Sequence, residues 1–166
     1  MRRNTLYTKS IAVISLVFLS GLALAMSHGD APSLPENLQN FKHINTLFVV
    51  DSESPIHGIH HFAIGKKGRE AFLQGGTEEY PEGTTFLGRV YKPVQTKDGR
   101  YKEGKLVAYT MMHKDPSSKA TKDTGGWHFV MFGPNGENKG VDPVKSCFGC
   151  HKPSPDTDYV LSTPLE

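Results

Sequence analysis

The chain has 166 residues, a formal net charge of +2 at pH 7 and two cysteines. That length suits one domain, and Lys and Arg are scattered rather than gathered into the basic face that nucleic-acid binding needs. A structural zinc site usually needs four ligands, often two Cys-x-x-Cys pairs, and the sequence has no second pair.

The N-terminus reads as an export signal. Arg2, Arg3 and Lys9 form a positive region, Ile11 to Ala25 is apolar, and Ala23-Leu24-Ala25 is a small-x-small cleavage site. The apolar stretch falls short of the roughly 20 residues of a membrane span, so an uncleaved anchor is the weaker reading. Arg2-Arg3 lacks the rest of a twin-arginine motif, and no cysteine follows the cleavage site to make a lipoprotein. Cleavage after Ala25 leaves one domain, residues 26–166, with no membrane segment. It removes three bases and no acid, so the formal charge becomes −1 and the sequence pI near 8.5 overstates how basic the mature chain is.

Ser33 and Glu36 form a capping pair that predicts a short helix to about Lys42. Strands are predicted over His43–Val50 and Gly58–Ile64, separated by a turn cluster at residues 51–55. The second strand holds His60 and His61, which must face opposite sides of the sheet. A helix is predicted over Lys66–Gln74, stopped by Gly75-Gly76. Strands over Thr84–Lys92 and Tyr101–Met112 flank Asp98-Gly99, a hairpin signal. A polar loop fills His113–Gly126. The fifth strand, Trp127–Phe132, is apolar on both sides and is expected to be central. The fold class is therefore α+β: a mainly antiparallel sheet of about five strands with one or two short helices.

Cys147-Phe148-Gly149-Cys150-His151 is the attachment signature of c-type heme. Each thiol adds to one vinyl group of the porphyrin, and the histidine ligates the iron. One covalently attached heme c, bound near the C-terminus through Cys147, Cys150 and His151, is the expected cofactor. A thioredoxin-type dithiol would sit early in a βαβ unit, usually without the histidine. Heme attachment outside the cytoplasmic membrane agrees with the export signal, and together they point to a periplasm. Only 15 residues follow His151, none of them methionine, so the order of small helical cytochromes, with a late axial Met, is excluded. Long helices of a four-helix cytochrome are also missing.

Gly125-Gly126-Trp127-His128-Phe129, then the heme motif, then Asp156-Thr157-Asp158-Tyr159-Val160 resemble the cytochrome P-460 and cytochrome c′-β family. Pro81-Glu82-Gly83-Thr84 and Lys114-Asp115 resemble two further family turns, so the likeness runs over about residues 58–162. The resemblance implies a homodimer of small β-rich subunits, each with one heme c and His151 as proximal ligand. One branch of the family oxidises hydroxylamine, with a lysine cross-linked to the heme and a distal carboxylate. The other binds small gases such as nitric oxide in an apolar pocket. Here the cross-linking position falls on Gly88 and the carboxylate position on Thr110, so this sequence departs from the oxidising branch at both points.

The expected function is therefore binding of a small gaseous or nitrogen-oxide ligand, chiefly nitric oxide, at a five-coordinate heme. The alternatives are hydroxylamine or nitric oxide oxidation, with electrons passed to a partner cytochrome, and bis-His electron transfer. Phe62, Phe86 and Phe129 are candidate pocket walls beside the heme. His60 is the first candidate for a distal residue and His61 the second, from a cluster that includes His57. His113, His128, Met111, Met112 and Met131 are weaker candidates, and Lys114 could meet a heme propionate or lie in a solvated loop.

Overall fold

The computed structural model describes residues 31–164; the signal expected over 1–25 lies outside them. Five strands form one antiparallel meander in the spatial order β1 (Lys42–Val49), β2 (Gly58–Ile64), β3 (Thr85–Gln95), β4 (Tyr101–Lys114), β5 (Trp127–Phe132). The helices are short: α1 (Arg69–Leu73), α2 (Gly149–His151), 3-10 turns at Leu38–Asn40, Lys119–Thr124 and Pro155–Thr157, and a π-helical turn at Val144–Phe148. The α+β expectation holds. Among the described residues no helix is long and apolar enough to cross a membrane.

The register sorts the side chains into two faces. Ile64, Phe86, Met112 and Phe129 make one cross-strand row, and Phe62, Gly88, Thr110 and Met131 make the next. Because side chains alternate along a strand, these rows share what is called here the front face. Ala63, Leu87, Met111 and Val130 make the matching row on the back. The front packs with Ile44, Phe72, Tyr80, Trp127, Phe148 and Val160 into the larger core, while Leu34, Leu38 and Phe41 cover Leu87, Met111, Val130 and Phe132 behind.

Several elements differ from expectation. The helix expected to Lys42 is only the 3-10 turn at Leu38–Asn40, and Leu34, Leu38 and Phe41 pack onto the back-face cluster. Helix α1 starts late because Gly68 has φ 78° and sits against Thr84, where a Cβ would collide. It ends, as expected, before Gly75 and Gly76, at φ 103° and 94°.

Strand β5 is at the edge of the sheet rather than in its centre. Both its faces are buried because the front packs against the larger core and the back faces the Leu34–Phe41 cover. Its free edge is partly paired by the following segment: Phe132 bridges Asn138, and Lys139 N–H donates to the Met131 carbonyl at 2.8 Å. Strands β3 and β4 run longer than expected, to Gln95 and Lys114, and the Asp98-Gly99 hairpin closes with Thr96 N–H to the Arg100 carbonyl at 2.7 Å.

Candidate functional site

After β5 the chain turns through Gly133–Gly136. Asp142 then caps the helical segment by accepting from Val144 and Lys145 N–H at 3.0 and 3.1 Å. The π-helical turn runs directly into α2, which brings Cys147, Cys150 and His151 onto one compact segment. Phe148, a spacer position in the motif, anchors that segment in the core against Tyr159, with ring centroids 5.0 Å apart. Cys147 is partly buried and Cys150 exposed, and both thiols are free. Burial, then the neighbouring Cys150 and Asp142, push the Cys147 thiol up.

His151 Nδ1 lies 2.7 Å from the Tyr159 carbonyl. A carbonyl can only accept, so Nδ1 carries the proton and Nε2 keeps its lone pair. Burial lowers the His151 pKa, partly offset by this hydrogen bond. The ring is therefore neutral at pH 7, the form that binds a metal. Phe129 packs against it, with centroids 4.9 Å apart.

The Tyr159 carbonyl is itself held firmly. Among the described residues, Asp158 and Tyr159 are the two non-glycine residues at positive φ, 49° and 66°, a conformation costing about 1–3 kcal/mol each. The Asp158 carboxylate accepts from Tyr80 N–H at 2.8 Å, from Lys114 Nζ at 2.7 and 2.8 Å, and from Trp127 Nε1 at 3.2 Å. Lys114 also donates to the Gly125 carbonyl at 3.2 Å and lies 5.0 Å over the Trp127 ring. This node is dry: Lys114 and Asp158 are each 4% exposed, and Tyr80 is pushed up to about 12 by burial and then by Asp158. The solvated loop or propionate contact considered for Lys114 is thus replaced by a buried ion pair at the end of β4. Its partner 44 residues away leaves no signal in the local sequence.

The front face gathers most of the expected pocket residues. His60 is buried there and stacks on Phe62, with centroids 5.8 Å apart. His60 Nε2 lies 2.9 Å from the Ile56 carbonyl and must be its protonated nitrogen. Phe62 and Met112 are only partly covered by the chain, whereas Phe86 is deep in the core among Phe72, Tyr80 and Trp127. Gly88 and Thr110, reached separately by counting along the sequence, are direct cross-strand partners. A Cβ at Gly88 would collide with Thr110 Oγ1 and lie 3.2 Å from the Phe62 ring.

His61 lies on the other face of the sheet. It points to the back, where Nδ1 meets Thr46 Oγ1 at 3.0 Å and Nε2 meets Glu103 at 2.7 Å. Strand alternation separates it from the face that carries His60. His113, bonded to Thr85 at 2.8 Å, and its cross-strand partner His128 share that back face. Met111 lies there too, while His57 Nδ1 donates to the Asp51 carbonyl at 2.9 Å in the β1–β2 loop.

Residues 35–162 match the sequence model of the cytochrome P-460 family. The chain belongs to the cytochrome P-460 family. No curated protein matches it. A cytochrome P-460 protein carries heme iron, and the residues present fit that group. Two free thiols and a neutral imidazole with a fixed tautomer lie on one short segment. They lie beside a sheet face whose Phe62 and Met112 remain partly uncovered. Among the described residues no three His, Cys, Asp or Glu side chains form a metal-ligand group.

Proposed function

We propose that this cytochrome P-460 family member is exported, with residues 1–25 removed and residues 26–166 forming one periplasmic domain. Cys147 and Cys150 hold a single heme c covalently and His151 is the proximal ligand. The protein binds a small nitrogen oxide, chiefly nitric oxide, at a five-coordinate iron, and works as a homodimer. The heme supplies ligand binding and redox chemistry; the chain supplies attachment, the proximal imidazole and a selective pocket.

The observation that carries this reading is the Gly88–Thr110 pair beside Phe62 on the front face. It offers neither an amine to cross-link the heme nor a carboxylate to relay protons, and an apolar wall favours small neutral ligands. His60 adds a polar group whose Nε2–H is bound to the Ile56 carbonyl, so a bis-His arrangement would have to ligate through Nδ1. Phe129, against the His151 ring, belongs to the proximal side rather than the ligand pocket.

The second reading, hydroxylamine oxidation with electrons passed to another cytochrome, is favoured by the family match itself. One experiment separates the two. The purified protein is titrated with nitric oxide and, separately, supplied with hydroxylamine and an electron acceptor. High-spin ferric iron that takes up nitric oxide, with negligible hydroxylamine turnover, is expected. Sustained turnover, or a broad red-shifted Soret band from a cross-link, would return oxidation to first place. For attachment, Cys150→Ala should lose heme retention through denaturing electrophoresis, and full retention would refute the thioether assignment.

A further inference from the structure

We infer that the buried Lys114–Asp158–Trp127 node is a positioning device for His151, setting the strength of its Nδ1–H bond and hence the donor strength of Nε2. This rests on His151 being the iron ligand. Four hydrogen bonds converge on the Asp158 carboxylate from three separate parts of the chain: Tyr80, the end of β4 and the start of β5. A carboxylate so held fixes the backbone to which it is attached. That backbone is the left-handed Asp158–Tyr159 pair, and the Tyr159 carbonyl accepts from His151.

The far side of the turn is also held. A Cβ at Gly125 would collide with the Tyr159 ring, which stacks edge-on to Phe148, and Gly125 gives its carbonyl to Lys114. The carbonyl that orients the imidazole is thus fixed from both sides. Left-handed geometry for two adjacent non-glycine residues persists only where the surroundings over-determine it. An imidazole that donates strongly through Nδ1–H becomes a more basic ligand through Nε2. A firmly held acceptor therefore strengthens the iron–histidine bond and favours the ferric state.

The test uses the holoprotein with the double variant Lys114→Met/Asp158→Asn, which leaves no unpaired buried charge and keeps a residue tolerant of left-handed φ. Trp127→Phe is a milder variant that removes one donor to Asp158. The readouts are the iron–histidine stretching band of the ferrous protein, the reduction potential, and hydrogen exchange at His151 Nδ1–H. A purely structural role would lower the melting temperature and leave all three unchanged. Expected are a band at lower frequency, a higher potential and faster exchange, in the same direction but smaller for Trp127→Phe. Folded variants with wild-type values for all three would overturn the positioning role and leave ligation standing. If His151→Gly retained the wild-type band, ligation itself would be wrong, and the two failures are thereby told apart.

Discussion

The two faces of the sheet are finished by different means. Behind it, Leu34, Leu38 and Phe41 cover Leu87, Met111, Val130 and Phe132 mainly by apolar contact, with Arg89 donating to the Leu38 carbonyl at 3.1 Å. In front, the segment carrying the heme motif is tied down by Phe148 and by one buried ion pair, Lys114–Asp158. Burial of apolar surface is non-directional, so it can close the back but cannot aim a ring. Hydrogen bonds to a charged group are directional and strong, and the front, which on the proposed reading must present one imidazole nitrogen, uses a buried ion pair to obtain them.

Variants on either side test how far this contrast holds. Lys114→Met should have the largest effect. It strands the Asp158 carboxylate in a dry site and should cost about 3–5 kcal/mol in denaturant unfolding, with disturbed heme spectra. Leu87→Ala on the back face should cost about 2–5 kcal/mol yet leave the optical spectrum of the folded protein unchanged. A spectral change there would break the division between the faces.

Gly88→Ala should cost about 1–3 kcal/mol by overpacking, because its Cβ meets Thr110 and Phe62. Most of that loss should return in Gly88→Ala/Thr110→Ala, measured by the same unfolding curves.

The smallest effect is one of pH, on the back face. Burial, then His128, hold the His113 pKa below the usual histidine value, against the pull of Asp115 and Glu82. The unfolded chain therefore binds this proton at higher pH than the folded one. The stabilisation is complete above about pH 6.5 and is lost as pH falls toward the folded pKa. His113→Asn should flatten that slope in unfolding curves taken from pH 7 to pH 5; an unchanged slope would remove His113 as its source.

Much of the sheet is legible in the sequence because strand signals are local. The spans Gly58–Ile64 and Trp127–Phe132 and the Asp98-Gly99 hairpin coincide with the structure, and alternation alone separates His60 from His61. What depends on distant partners is not legible. The apolar character of β5 was expected to mean a central position, yet a covered edge looks the same in sequence. Lys114 reads as a loop lysine until Asp158 is placed beside it. The motif residues Cys147, Cys150 and His151 stand out by spacing, whereas the role of Tyr159 lies in its carbonyl, which every residue possesses.

The meander has a consequence for the order of assembly. Each strand pairs with its neighbour in sequence, so the hairpins close at small entropic cost, whereas the Asp158–Tyr80 bond spans 78 residues. Loop closure thus ranks the docking of Asp158 after the sheet. On the proposed reading, Cys147, Cys150 and His151 remain until that step an open tether on a nearly finished scaffold, reachable by machinery that would join porphyrin to protein. Closing the tether then converts a flexible substrate for modification into a rigid mount.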